Sequence, residues 1–300
     1  EGGVYRYDPT PYCREGYMAA LEGDGYYHVF ALEDVEATVT DREGRRAHYR
    51  TLQGAFDMAP SGSTIQLFNN LGYGSDEKPG VRVPAGKSFM LTSDPNGAAG
   101  HGANSIHRTG ANTVITLSEG ALLTVTNLTL NGSGVVSDRA LVHVEAGSML
   151  VLGDDAVIYG AVGGAVYAVD RALVVISGNV QAWDNYDADH NPMNLVFEDA
   201  ESGLVLVNGE NAAHEPCRVG IWCEDCEPGD VFGSVMSGLF PYQFYADGDN
   251  SVEIPEIFLT NDREPTLHHG RGATVQETPV EAGTNSVRWT YDETPPAVTN

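Results

Sequence analysis

Lysine is almost absent from this chain. The 300 residues hold two, Lys78 and Lys87, and Lys and Arg together number 16 against 42 Asp and Glu, a formal net charge of −26. Binding to a phosphate backbone needs clustered cations, so nucleic acid is excluded as a partner. An acidic surface favours cations and basic partners instead. Long apolar runs are missing too. Stretches such as VISGNV and GALLTV fall far short of the roughly 20 residues of a membrane helix, so no membrane insertion is expected. Four cysteines, Cys13, Cys217, Cys223 and Cys226, are too few to build a disulfide framework. The last three read C-x5-C-x2-C with His214 nearby, which leaves a single disulfide, free thiols or a zinc set open. No start Met, signal peptide or wall-sorting tail is visible, so residues 1–300 read as a piece cut from a longer secreted or wall-anchored chain.

Helix signals are equally scarce, which argues against a helical bundle or a doubly wound fold. One good candidate runs from Thr51 to Ala59. Thr51 is placed to cap it, Leu52, Ala55, Phe56 and Ala59 follow at helical spacing, and Pro60 and Gly62 stop it. Two hairpins precede it. YMAAL and YYHVF flank Asp24-Gly25, and VEATV and RRAHYR flank Asp41 to Gly44.

What the chain has in abundance is glycine, 35 residues, well above the average of roughly 7% and without the triplet period of collagen. From Thr64 onward it punctuates short β runs that repeat. GALLTVTNLTLNG begins at Gly120, GSMLVLGDDAVIYG at Gly147, RALVVISGNVQAWDN at Arg171 and SGLVLVNGEN at Ser202, with starts 27, 24 and 31 residues apart. Each carries an alternating apolar pair (Leu123/Val125, Leu150/Leu152, Val174/Ile176, Leu204/Leu206) and then a corner at Asn127, Gly153, Gly178 or Asn208. Irregular repeats of this length without intervening helices suit a parallel β-solenoid whose rungs bury one another's apolar faces. The expected architecture is all-β: a hairpin lead-in over 1–48, a parallel β-helix with its capping helix over 49–283, and a linker or the start of another module over 284–300. An antiparallel sandwich is the alternative.

Several segments carry a family resemblance. CREGYMAALEGDGYYHV resembles the lead-in of large surface proteins of Gram-positive gut bacteria. HYRTLQGAFDMAPSGSTIQLFNNL is similar to the stretch that leads these proteins into a right-handed, pectin-lyase-like β-helix, with Ser63 where an Asp is usual. FMLTSD, IHRTG, VITLSEGALLTVTNLTLNG, NPMNLVFED, CRVGIWCEDCEPGDVFG and FLTND resemble successive later segments. The resemblance implies a cell-surface, adhesin-like module and a structural role for Arg108.

Chemistry candidates are few. Asp184, Asp187, Asp189 and Asn191 set side-chain oxygens along one acidic loop, and Asp247, Asp249 and Glu253 do so in a second. Hard cations such as Ca²⁺ take six to eight oxygens, so both loops are candidate calcium sites; both are also ordinary turn sequences. Gly100-His101-Gly102 is similar to a polygalacturonase motif but lacks preceding paired carboxylates, and the paired carboxylates of glycoside hydrolysis cannot be assembled. Arg108, Arg139 and Arg171 sit in no basic motif of the lyase kind. His268 and His269, adjacent on a strand, would face opposite ways. Tyr242, Phe244 and Tyr245 form an aromatic segment that suits either a plug over the last coils or a platform for sugar rings. Tyrosines 5, 7, 12, 17, 26 and 27 are expected to pack the hairpins, with a binding face as the alternative. The leading expectation is a monomeric, non-enzymatic β-helix that presents loops to glycans or to host or microbial surface proteins. A polysaccharide lyase or glycoside hydrolase is the alternative, and a rigid spacer the second.

Overall fold

A computed structural model of the chain describes residues 3–93, 104–177, 180–198 and 201–205 in full, and the backbone of 206–207. Beyond them it describes the backbone of strands Cys217–Cys223, Val231–Ser237, Phe240–Tyr245, Ser251–Ile254, Ile257–Asn261, Thr278–Pro279 and Val287–Arg288.

The chain winds into a parallel β-solenoid with three strands per coil. One face stacks Ser63–Leu67, Ser88–Ser93, Leu122–Thr126, Met149–Leu152, Leu173–Ser177, Gly203–Val207 and Val231–Ser237 in parallel. A second stacks Leu71–Tyr73, Ser105–Arg108, Leu128–Asn131, Ala156–Tyr159 and Val180–Trp183. The third stacks Val81–Val83, Ile115–Leu117, Val142–Val144, Val166–Ala168 and Leu195–Phe197. The second and third faces meet on one strand, Cys217–Cys223, whose first half pairs with Val180–Trp183 and whose second half pairs with Leu195–Phe197.

Alternation decides which residues enter. Leu123 pairs with Leu150 and Leu150 with Val174, Val125 with Leu152 and Leu152 with Ile176, and all six are buried. The same position carries Ile65 and Leu91 in earlier rungs and Leu206 in the next. Rungs about 4.8 Å apart bring these side chains into van der Waals contact, and each fully buried aliphatic contributes about 1.5–3 kcal/mol. Register offsets of 27, 24 and 30 residues relate Leu122, Met149, Leu173 and Gly203. The coils differ in length only at their corners. There the backbone turns through the left-handed region, at Gly120 and Gly147 (φ 70° and 61°) and at Asn127 and Asp155 (φ 46° and 58°). Asn and Asp tolerate that conformation better than other side-chain-bearing residues.

The helix spans Leu52–Met58, capped by the Thr51 hydroxyl, which accepts from Gly54 N at 3.0 Å. Leu52, Ala55, Phe56 and Ala59 are buried, and the Phe56 ring meets Phe89 of the coil edge-on. Both expected hairpins form. Tyr27–Ala31 is the centre of a separate three-stranded sheet, antiparallel to Tyr17–Leu21 on one side and to Val4–Tyr5 on the other. The second hairpin joins the coil: Ala37–Thr40 pairs antiparallel with both Arg46–Tyr49 and Ser63–Leu67. Antiparallel pairing returns at the other end. Phe240–Tyr245 runs antiparallel to Val231–Ser237, and Ser251–Ile254 to Ile257–Asn261, which itself lies parallel on Cys217–Cys223.

The tyrosine-rich start departs from expectation. The inner face of the small sheet is filled by Met18, Ala20 and Val35 with Phe30, Leu32 and Phe68 against them. Tyr5, Tyr7, Tyr12, Tyr17 and Tyr26 are exposed. Met18 and Ala20 fill the inner face of their strand, leaving Tyr17 to the solvent side.

Leu152→Asp places an unpaired carboxylate between Val125 and Ile176, so it should abolish the cooperative thermal transition seen by circular dichroism. Thr51→Ala should cost only about 1 kcal/mol in denaturant unfolding. A folded Leu152→Asp variant would contradict the inward register.

Candidate functional site

The acidic loop leaves the second face directly after Trp183. Its root is Asn185, fully buried, whose Nδ2 donates to the carbonyls of Ile158 and Trp183 and to Asn194 Oδ1, and whose Oδ1 accepts from Ala161 N. Every bond of this buried amide serves the junction between loop and coil, as a polar group in a closed core must. Further out, Asp187 Oδ1 accepts from the backbone N–H groups of Asp189 and Asn191, both at 2.9 Å, and Oδ2 accepts from Asn191 Nδ2 at 2.9 Å. Asp184 Oδ1 accepts from the Tyr186 hydroxyl at 2.6 Å, which holds that phenol protonated above its ordinary range. Asp184 and Asp187 thus direct oxygens, and Asn191 its amide nitrogen, into bonds within the loop. Among the described residues no group of three His, Cys, Asp or Glu converges as metal ligands do. The second calcium candidate lies largely outside the described residues: Asp247 and Asp249 are beyond them, and of Glu253 the structure gives the backbone, in register with Phe258.

The aromatic candidates Tyr242, Phe244 and Tyr245 stand on the antiparallel strand opposite Val235, Gly233 and Val231. Their side chains lie outside the described residues, as do His101, His214, Cys226, His268 and His269. Cys217 and Cys223 occupy opposite ends of one strand, too far apart for a disulfide, whose Cα atoms stand within about 7 Å. Cys13 is a free thiol.

Arg108 is 1% exposed. Its guanidinium donates to the carbonyls of Val162 at 2.9 Å and Arg139 at 2.6 Å, which fastens two successive corner loops to a third rung. Burial lowers its pKa to about 10, still far above neutrality. Arg139 is an exposed neighbour, and Arg171 pairs with Glu201 at 2.8 Å.

Two features had no prominence in the sequence. Glu36 ties the hairpin to the first coil: Oε2 accepts from Leu52 N at 2.7 Å and from the Tyr73 hydroxyl, and Oε1 pairs with Lys78 Nζ at 2.5 Å. Lys78 also lies 4.4 Å from the centroid of the Tyr73 ring. The other is a pair of outward columns. On the second face Gly72, His107, Asn131, Tyr159 and Trp183 share one register position, and the Tyr159 and Trp183 rings stack at 5.5 Å and 11°. Asn131 Nδ2 donates to the Tyr159 hydroxyl at 3.0 Å. On the third face Arg82, Thr116, His143 and Tyr167 align, with His143 and Tyr167 stacked at 6.0 Å and 9°. A search for aromatics one coil apart, 24 residues in both cases, would have found the two stacks.

No family model, curated protein or solved structure matches the chain.

Because Asp187 closes its own turn, Asp187→Ala should lower the melting temperature equally with millimolar calcium and with chelator. A calcium-dependent melting temperature in the native chain, lost in the variant, would instead assign the loop the cation its sequence suggests. Acid acts elsewhere. Burial depresses the His143 and His48 pKa values, so just below the unfolded value of about 6.5 the unfolded chain takes up protons that the native chain refuses. Stability from this source is complete above about pH 6.5 and falls as pH drops through it. Urea unfolding at a series of pH values should show this slope, and His143→Gln/His48→Gln should flatten it.

Proposed function

We propose that this chain is a recognition module that binds glycans or surface proteins through aromatic side chains exposed on its rigid coil and on its lead-in, without transforming them. One observation carries the proposal: large aromatic side chains stand on the exterior. Tyr7 is 79% exposed, Tyr12 90% and Trp183 45%, while the coil interior is chiefly aliphatic. Exposed aromatic clusters are costly in water and are the residue types that dominate binding surfaces. The solenoid supplies rigidity, since each outward side chain is held by backbone pairing to the rungs on both sides. The sequence resemblance to lead-in and coil segments of Gram-positive surface proteins supports an extracellular setting.

The test pairs binding with turnover. Native chain should bind immobilised glycans or surface proteins, and should release no unsaturated or reducing sugars from pectins, uronans or mucin glycans with or without Ca²⁺. Tyr7→Ser/Tyr12→Ser should weaken binding at the small sheet without changing the melting temperature. Sustained depolymerisation that vanishes with replacement of one carboxylate or Arg would overturn the proposal.

A further inference from the structure

Trp183 ends an outward column in an unusual way. One face of its indole is covered by the parallel Tyr159 ring at 5.5 Å. The other face looks along the coil axis toward the next rung. There Gln181 pairs with Arg218 and Ala182 with Val219, so Gly220 is the residue beside Trp183 when the register continues by one. Glycine has no side chain to stand against the indole. The rung after that carries Thr260 at this position, in register with Gly220. The column therefore runs Asn131, Tyr159, Trp183, a glycine, Thr260.

The indole is held in this attitude from three sides. Its strand is paired in parallel to Ala156–Tyr159, its ring is stacked, and its backbone carbonyl accepts from buried Asn185 at 2.9 Å. A flat, oriented aromatic platform of this kind needs little ordering on binding, which is where rigid aromatic contacts gain their affinity. Its surroundings are polar and negative. The loop that leaves Trp183 carries Asp184, Asp187 and Asp189, and the chain as a whole bears −26.

From this juxtaposition of a stacked indole, a side-chain-free rung and an acidic rim we infer a subsite for a neutral sugar ring. This deepens the recognition reading above and rests on it. The C–H face of a pyranose stacks on the exposed face of Trp183 over Gly220, and its hydroxyls donate to carboxylate and amide oxygens at the rim. Uronate, sulfated and sialylated chains are repelled by the same carboxylates.

The experiment titrates the whole chain with hexaoses of glucose, mannose and N-acetylglucosamine, and with oligogalacturonate and heparan sulfate as the acidic arm. Binding is read by calorimetry and by indole fluorescence. At least one neutral hexaose should bind and neither acidic chain should. Trp183→Ala should weaken that binding about tenfold or more, Trp183→Phe should retain part of it, and Gly220→Leu, which puts a side chain at the glycine position, should weaken it with the indole intact. Unchanged melting curves confirm that the variants fold, and Met90→Thr, at an exposed position on the first face, should leave hexaose affinity as it was. Preference for the acidic chains, or hexaose binding indifferent to a folded Trp183→Ala, overturns the subsite while recognition elsewhere stands. Turnover of any glycan overturns the recognition reading itself. Absence of neutral-hexaose binding, with ligand captured through the tyrosine sheet, overturns the subsite alone.

Discussion

Parallel, in-register hydrogen bonding between rungs is the constraint on which everything else depends. It sets equivalent residues of successive coils about 4.8 Å apart, close enough that each position must suit the one above it. Inside, like therefore stacks on like, as in the run Leu91, Val125, Leu152 and Ile176. Polar groups enter this interior only when their bonds serve the stack. Asn104 donates to the Leu67 carbonyl at 2.8 Å, Asn185 joins loop to coil, and Arg108 fastens two corner loops. Outside, the same rule lines side chains into columns such as Asn131, Tyr159 and Trp183.

A stack of this kind has two open ends, and unpaired strands there invite association with other chains. At the start the chain answers with a reversal of strand direction. Ala37–Thr40 pairs antiparallel with the first coil strand, and the helix lays Phe56 against Phe89. Glu36 then binds the helix N-terminus, the Tyr73 hydroxyl and Lys78 together, so one carboxylate joins hairpin, cap and first coil. At the other end antiparallel strands again follow the parallel stack.

The sequence makes the repeat legible because alternation and corner residues are local. Thr51, Leu52, Ala55, Phe56 and Ala59 announce a helix within nine residues, and Leu150/Leu152 announce a half-buried strand within three. Long-range relations are harder to see. The partners of Arg108 lie 31 and 54 residues along the chain, and nothing nearby in sequence marks Glu36 as the residue that meets Lys78. The acidic loop shows the limit from another side. Its carboxylates are visible as oxygens, but the turn they adopt is not, and in that turn Asp187 accepts from the backbone of Asp189 and Asn191. Trp183 acquires meaning only once Tyr159 and Gly220 are placed above and below it.

The scarcity of lysine has a consequence for handling the protein. Lys78 is committed to Glu36 and the Tyr73 ring, and Lys87 Nζ donates to the Asp57 carbonyl at 2.9 Å, in the last turn of the cap helix. Both side-chain amines of the chain thus belong to the seam between lid and coil. Reagents that acylate primary amines, whether for labelling or for coupling to a surface, would neutralise the charges that hold this seam. A sample immobilised through its lysines would be held at its lid, and loosened there.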